Sequence, residues 1–368
     1  MTAVHYALRW RRIMSALLLL TLFGVPLAAP QGHLSADDGQ AKGLVVQPLT
    51  SPAANQDVAT PAIDDGTIAD LQALRVKVIR LDFWTAPFGS CIEDECRTPS
   101  GQHIFDVYDP IVNKVEAAGI RIIGLLGPGF VQGDFMENAV ELGGSNGDNS
   151  AVHHFAAEAK QVAAHYPQIQ QWEIWNEPNA ERTYLYPSVY AQLTNLVTQY
   201  IKSANPDAVT IGGGLFTHGY GSHPSDGDDA VGYLRDVYRF AGTANWHRTP
   251  WDFLGVHIYV CSTPSWCPRP IDVRIATRAI LNALYANDHH FRLSVTEFGA
   301  EAGGSDENSD FQVMAIEAIS TVFAQWGSRV DAACVYKYQD TNGDKSFGLL
   351  GPDGHHRLAF DTYASLSF

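Results

Sequence analysis

The sequence predicts a single (β/α)8 barrel, and three observations support this prediction. Seven short apolar runs alternate with amphipathic stretches from about Thr67 onward, which is typical of parallel βαβ units. The run GLVVQP at Gly43 supplies an eighth strand, and eight strands close a barrel of this class. The rival fold is a doubly wound open sheet, which would carry the glycine-rich turn GxGxxG after its first strand. The sequence lacks that turn.

The predicted strands are short apolar runs with period-two alternation near their ends. In chain order they are GLVVQP at Gly43, RVKVIRLDFW at Arg75, IRIIGLLGP at Ile120, QQWEIWN at Gln170, AVTIGGGL at Ala208, DFLGVHIYV at Asp252, FRLSVTEFG at Phe291 and AACVYKYQ at Ala332. Amphipathic stretches between them predict helices at 104–118, 152–164, 189–202, 273–285 and 311–326.

Residues 1–29 are predicted to be a signal peptide. Three arginines precede an apolar run at 13–27, and Ala28 and Ala29 supply the small residues of a cleavage site. The run is shorter than the roughly 20 residues that cross a bilayer. A retained membrane anchor is the alternative, because signal and anchor differ mainly in length and flanking residues. Secretion or export to the periplasm is therefore expected.

The rest of the chain divides into two predicted parts. Residues 30–62, rich in Pro, Ala and Asp, are predicted to be a linker or irregular segment that overlaps the first strand, and 63–368 the catalytic barrel. The formal net charge of −16 argues against nucleic acid and anionic membranes as partners. It fits a secreted protein that acts on a neutral ligand.

Four of the five cysteines form two closely spaced pairs. Export to an oxidising compartment predicts the disulfides Cys91–Cys96 and Cys261–Cys267. Neither pair has the CxxC-type spacing of a zinc site, so zinc binding is disfavoured. Cys334 remains, within an apolar run, and is predicted to be a buried free thiol.

Polar residues gather where the predicted strands end. Catalytic groups of a barrel come from the C-terminal ends of its strands, and alternate residues of a strand share one face. The residues selected in this way are Arg80, Asp82 and Trp84 on the second strand, Glu173, Trp175 and Glu177 on the fourth, His257 and Tyr259 on the sixth, and Glu297 on the seventh.

Two carboxylates at strand ends suggest hydrolysis of a glycosidic bond. One must protonate the leaving oxygen, and the other must attack the sugar carbon or activate water. Glu177 and Glu297 lie at the ends of their strands, whereas Glu173 lies deeper along the fourth. We therefore expect Glu173 to form a buried structural ion pair.

Two motifs carry a resemblance to a known group of enzymes. WNEPN at Trp175 and TEFG at Thr296 resemble the two signatures of clan A retaining glycoside hydrolases. The resemblance extends from about Val76 to Phe360 and includes an Arg on strand two, the HxY of VHIYV, and FGLLGPDG after strand eight. That tail, with YKYQD before it, is most similar to the family-39 type, which comprises β-xylosidases, α-iduronidases and bacterial exopolysaccharide endoglycosidases. The family-5 type is the second choice.

The resemblance implies a role for each residue of the motifs. Glu177 would be the acid/base and Glu297 the nucleophile, supported by Arg80 and Tyr259. Asn176 would bind the sugar 2-hydroxyl. The other candidates for substrate binding are His257, Asp82, Trp84 and Tyr338.

The sequence departs from the clan at two strand ends. Strand three runs into LLGPGF, where many clan members have His or Asn. Strand eight carries Tyr336 and Tyr338, where family-5 types usually have Trp. Both departures bear on which sugar is bound.

The sequence therefore predicts an exported retaining glycoside hydrolase without a cofactor. Its partner would be a carbohydrate substrate. The alternatives are a carbohydrate-binding barrel that has lost catalysis and a transglycosidase that uses the same residues. A metal-dependent hydrolase is less favoured than either. The sugar, the linkage and endo or exo action stay open.

Overall fold

The structure of the protein is a computed structural model. It describes residues 40–49, 61–88, 92, 95–130, 150–217, 230–243, 250–260, 274, 278, 281–282, 292–302, 310–341 and 346–367. The predicted signal peptide lies outside these residues, as do Cys91, Cys261 and Cys267. The two disulfides therefore stay predictions.

Eight parallel strands form one closed barrel. They are β1 (Ala41–Val46), β2 (Val78–Asp82), β3 (Arg121–Leu126), β4 (Gln171–Ile174), β5 (Val209–Phe216), β6 (Phe253–Val260), β7 (Leu293–Ala300) and β8 (Val330–Val335). Each strand pairs with its neighbours in the chain, and β1 pairs with β8 to close the circle. The predicted (β/α)8 barrel is confirmed, with its first strand inside the segment 30–62.

Helices cover the outside of the barrel. In the described part of the chain those of eight residues or more are α1 (Asp65–Ala73), α2 (Ile104–Ala117), α3 (Ser150–His165), α4 (Pro187–Ala204), α5 (Ala230–Thr243), α6 (Asp310–Trp326) and α7 (Leu358–Ser365). Four of the predicted helices are found as α2, α3, α4 and α6. The predicted helix 273–285 lies largely outside the described residues. None of the described helices is long and apolar enough to cross a membrane.

Local signals fix where two of these helices begin. At α2, the His103 side chain accepts a hydrogen bond from a backbone N–H of the first turn, and Asp106 accepts one from the His103 backbone. This capping box satisfies donors that the helix leaves unpaired. The helix α4 starts at Pro187, which cannot donate a backbone hydrogen bond and costs nothing at a first position.

The strands are buried on both faces, as expected for a parallel sheet enclosed by helices. Between barrel and helices, the Phe83 ring stacks on Tyr108 at 4.8 Å and lies 5.4 Å from the Trp172 ring, centroid to centroid. Cys334 is a buried free thiol, as predicted, and burial raises its pKa far above the ordinary value.

The base of the barrel is tied to the C-terminal helix. Lys42, near the start of β1, donates through Nζ to the carbonyl oxygens of Tyr363 and, at 3.1 Å, Leu366. The Tyr363 hydroxyl donates to the Gly43 carbonyl at 2.5 Å. These bonds hold α7 at the end of the barrel opposite the C-terminal ends of the strands.

Candidate active site

A cavity of about 300 Å³ opens at the C-terminal ends of the strands. Polar groups from several strands and their following loops meet there, as in other barrels of this class. Its lining comprises Val45, Val46, Gln47, Pro48, Leu49, Arg80, Asp82, Trp84, Leu125, Pro128, Asn176, Glu297 and Tyr336. Four of the predicted substrate-binding residues, Arg80, Asp82, Trp84 and Asn176, thus line one cavity together with Glu297.

Arg80 is a buried hub that connects three acceptors. Its Nε donates to Glu173 Oε2 at 2.5 Å, one terminal nitrogen donates to Glu297 Oε1 at 2.5 Å, and the other donates to Asn176 Oδ1 at 2.7 Å. Burial alone would lower the pKa of Arg80, but Glu173 and Glu297 outweigh it and raise that pKa. Glu173 is fully buried, so its predicted structural ion pair is confirmed.

Glu297 is held on both of its carboxylate oxygens. Oε1 accepts from Arg80, and Oε2 accepts from the Tyr259 hydroxyl. Burial, followed by the charges of Glu297 and Glu177, raises the pKa of Tyr259 well above its ordinary value, so this hydroxyl stays a donor. The carboxylate is therefore fixed in orientation while its edge lines the cavity.

Glu177 lies beyond the end of its strand, and this corrects the period-two interpretation. The strand β4 ends at Ile174, and Trp175 and Glu177 both have left-handed backbone angles, with φ of 71° and 48°. Trp175 consequently turns away from the cavity. Its ring is buried 6.1 Å from the Phe155 ring of α3, and its indole N–H donates to the Thr183 carbonyl.

The carboxylate of Glu177 contacts His257 on β6. Oε1 of Glu177 lies 2.7 Å from His257 Nδ1. The same nitrogen is 3.5 Å from Glu297 Oε2. Burial lowers the pKa of His257, but Glu297 and Glu177 outweigh it and raise that pKa above the ordinary value. The sequence predicted substrate binding for His257, and the contact with Glu177 was missed.

A chain of hydrogen bonds below His257 fixes its tautomer. Glu173 accepts three hydrogen bonds, from Arg80, from the Gly214 backbone N–H at 2.8 Å and from the Thr296 hydroxyl at 2.7 Å. The single hydroxyl proton of Thr296 is thus used, so its oxygen accepts from His257 Nε2 at 3.1 Å. Nε2 carries a proton, and Nδ1 shares one with Glu177.

The distance between the two predicted catalytic carboxylates is short. One oxygen of Glu177, one oxygen of Glu297 and a ring nitrogen of His257 all lie within 4.8 Å of one another. That spacing would also suit a metal ion. Carboxyl groups of retaining glycosidases are about 5–5.5 Å apart, whereas those of inverting enzymes are roughly 6.5–9.5 Å apart to leave room for a water molecule.

A glycine after strand three makes room for the Trp84 ring. A Cβ added at Gly129 would lie 2.4 Å from the Trp84 ring, and one at Gly127 would lie 3.6 Å from Asp82 Oδ1. Gly129 thus leaves space that the Trp84 ring occupies, whereas a side chain at Gly127 would only make an ordinary contact with Asp82.

Tyr338 lies away from the cavity, contrary to its predicted role. Its hydroxyl donates to Asp70 Oδ2 at 2.7 Å, and Asp70 belongs to the outer helix α1. Tyr336, two residues earlier, lines the cavity instead. The strand β8 ends at Val335, so period-two alternation no longer predicts where these side chains point.

No protein-family model matches the sequence, and no curated protein sequence matches it either. Solved structures match over most of the chain. A β-glucosidase from Thermotoga maritima in complex with glucoimidazole is similar at a TM-score of 0.60 and 12% identity, over 88% of this chain and 97% of that one. The likeness is one of fold, the (β/α)8 barrel that this chain and that glycosidase share.

Two further matches broaden the comparison. A family 39 glycoside hydrolase from Bacteroides cellulosilyticus WH2 is similar at a TM-score of 0.55 and 17% identity, over 88% of this chain and 62% of that one. A thermostable mutant of a xylanase from Cellvibrio japonicus is similar at a TM-score of 0.58 and 15% identity, over 88% of this chain and 96% of that one. The matches spread across several glycoside hydrolase families, so they do not select the family-39 type.

Proposed function

We propose that the protein is an exported retaining glycoside hydrolase, with Glu177 as the acid/base and Glu297 as the nucleophile. The observation that carries the proposal is the pair of carboxylates, of which one oxygen each lies within 4.8 Å of the other. Their different partners add support: Glu297 is held by a guanidinium and a phenol, and Glu177 by an imidazole. Two carboxylates in different hydrogen-bonding environments suit the two different roles that the mechanism needs.

The first step would form a covalent glycosyl-enzyme intermediate. Glu297 attacks the anomeric carbon, the glycosidic C–O bond breaks, and Glu177 gives a proton to the departing oxygen. Arg80 and Tyr259 keep the attacking carboxylate oriented. The Asn176 carbonyl is occupied by Arg80, so its NH₂ group is the donor available to a sugar hydroxyl.

The second step would reverse the proton transfer. Glu177 removes a proton from water, the water attacks the anomeric carbon, and Glu297 leaves as a carboxylate. His257 shares a proton with Glu177 and so keeps a proton in place for the next cycle. When a sugar hydroxyl replaces water in this step, the same residues carry out transglycosylation.

Glu177→Ala tests the acid/base role. Aryl glycosides with good leaving groups should keep most of their first-step rate, because they need little protonation, while alkyl glycosides should lose on the order of 10²–10⁴-fold. Azide should restore turnover and yield a glycosyl azide of retained configuration. Equal losses for good and poor leaving groups would contradict the assignment.

Glu297→Gln tests the nucleophile. Turnover should disappear while sugar binding, measured by calorimetry, persists. Persistent turnover would point to another nucleophile. The matched control is Glu317→Gln, which makes the same exchange at an exposed position of α6 and should leave turnover unchanged.

Three further measurements separate the rival functions. Unchanged activity after chelation would contradict a metal-dependent hydrolase. Products formed with added acceptor sugars would identify transglycosylation. Sugar binding without turnover on a broad panel of aryl glycosides and polysaccharides would favour the catalytically inactive barrel. Export itself is tested by locating the protein after expression with and without residues 1–29.

A further inference from the structure

Asp82 is a carboxylate in the cavity that the proposed chemistry does not use. It ends β2 and lines the cavity with Arg80, Trp84 and Glu297. Its Oδ1 is buried and has no hydrogen-bond partner among the residues that the structure describes. A buried acceptor without a partner is unfavourable for folding, and such an atom requires an explanation.

The neighbouring arginine does not satisfy this carboxylate. All three nitrogens of the Arg80 guanidinium already donate, to Glu173, Glu297 and Asn176. Each terminal nitrogen keeps a second N–H, but no hydrogen bond or ion pair joins Asp82 to Arg80 among the described residues, and Asp82 Oδ1 has no partner. Burial raises the pKa of Asp82 to about 6, opposed by Arg80 and reinforced by Glu173 and Glu297. A donor arriving from a ligand would stabilise the ionised form.

The charges around the cavity are predominantly negative. In the described part of the chain, the carboxylates of Asp82 and Glu297 line the cavity beside Arg80. Those of Glu173 and Glu177 are joined to the same network through Arg80 and His257, so four carboxylates share one guanidinium and one imidazole. Such an excess of negative charge in a partly enclosed site repels a bound anion, because electrostatic interactions are stronger there than in water. Asp82 is the one of the four that makes no ion pair in this network.

We propose that Asp82 is a specificity-determining residue: it accepts a hydrogen bond from a hydroxyl of a neutral sugar and rejects a sugar that bears a carboxylate. The substrate class would then be glycosides of neutral sugars and not of uronic acids. This rests on the proposed function for the cleavage step alone. Selective binding is expected whether or not the bond is cut.

The test compares matched glycosides that differ only in the carboxylate. We would measure kcat/KM on 4-nitrophenyl glucosides and galactosides of both anomers and on the corresponding uronides. The wild type should prefer the neutral member of each pair by at least tenfold. Asp82→Asn keeps the shape of the side chain and removes its charge. It should lower kcat/KM on the neutral glycoside and reduce the ratio of neutral-glycoside to uronide kcat/KM by about tenfold.

The control is Asp361→Asn, which makes the same change of charge at an exposed position on α7. It should leave the preference unchanged. Equal or better turnover of uronides by the wild type would overturn the proposal, as would an Asp82→Asn preference equal to that of the wild type.

Binding separates a failure of this proposal from a failure of the proposed function. If no glycoside is cleaved, NMR saturation transfer with glucose, xylose and galactose against glucuronate and galacturonate measures the selectivity directly. If the wild type binds neutral sugars and Asp82→Asn binds them more weakly, the role of Asp82 is supported. The absence of cleavage would then count against hydrolysis alone. Stronger binding of the uronates, or binding of neither class, would overturn the role of Asp82.

Discussion

Arg80 shows how one residue organises the site. Its guanidinium is planar and presents donors in a fixed fork, and here the fork joins Glu173, Glu297 and the amide of Asn176. The positions of these three groups therefore depend on one another. Lysine, with a single ammonium on a flexible stem, would not hold all three at once.

Thr296 is a positioning residue whose importance the structure reveals. Thr296→Val should remove a donor from Glu173 and an acceptor from His257, and so reduce the unfolding free energy by about 1–3 kcal/mol. We also expect a loss of kcat of about tenfold and an altered pH profile, because the tautomer of His257 is no longer fixed. Thermal unfolding and pH–rate profiles measure both.

Two variants, Thr296→Ser and Thr321→Val, are the controls for Thr296→Val. Thr296→Ser keeps the hydroxyl and should keep most of the activity. Thr321→Val removes a hydroxyl that only donates to the Glu317 carbonyl on the exposed side of α6, and it should change neither property appreciably. A loss in the Ser variant without a loss in the Val variant would mean that the methyl packing, and not the hydroxyl, matters.

The ionised carboxylate of Asp82 should lower the free energy of unfolding at neutral pH. Its folded pKa of about 6 lies above the ordinary value of 3.8, so the folded state holds the proton more tightly, and stability falls as pH rises from about 4 through 6. Asp82→Asn should therefore raise the melting temperature at pH 7.5 but hardly at pH 4, with an upper bound of about 3 kcal/mol at pH 7.5. A gain equal at both pH values would contradict the assigned shift.

At the scale of elements, the glycines of β5 set the position of a side chain on β6. The register between these strands shifts between Gly212 and Leu215, and a Cβ at Gly214 would lie 1.9 Å from His257 Nε2. The buried imidazole occupies the space that any larger residue would fill. The run IGGGL thus belongs to the site although it carries no functional group.

Gly214→Ala should consequently impair activity more than stability. The added methyl displaces the His257 ring, and a misplacement of about 1 Å at a catalytic group can cost on the order of 100-fold in rate. We expect kcat/KM to fall by that order while circular dichroism still reports a folded barrel. A fully active variant would show that His257 moves without consequence.

The sequence predicted well those elements in which burial determines the order of apolar and polar residues. The eight strands are mostly apolar and their residues are largely buried, as expected for a parallel sheet enclosed by helices. Arg80, Asp82, His257 and Tyr259 follow the alternation of their strands, so they too could be located. Glu173 could be assigned to an ion pair because it lies inside the barrel.

Other features depend on contacts that no local pattern contains. The left-handed backbone at Trp175 and Glu177 ends the alternation that the motif WNEPN suggested. Tyr336 and Tyr338 follow the last residue of β8, so their directions could not be deduced from period two. The bond from Thr296 to Glu173 joins residues 123 positions apart, and only the closed barrel brings them together.

For the whole molecule, Cys334 offers a probe of the closed barrel. Its thiol is buried where β8 meets β1, and burial raises its pKa far above the ordinary value, so it is poorly reactive in the folded state. Ellman's reagent should label no thiol of the native protein. Without reductant, unfolding in guanidinium should expose one thiol per chain.

The same measurement tests the disulfide predictions. A single thiol after unfolding agrees with both Cys91–Cys96 and Cys261–Cys267 being closed. Three or five thiols would contradict one or both bonds. Rapid labelling of the native protein would contradict the burial of Cys334.

The bonds between Lys42, Gly43 and the helix α7 have a practical consequence. They place Leu366 at the base of the barrel, whereas the cavity opens at the opposite end. If the protein were coupled to a bead or sensor chip through the segment next to Leu366, the open end of the cavity would face the solution in every molecule. Polymers too large to diffuse into a porous support would then still reach the immobilised protein.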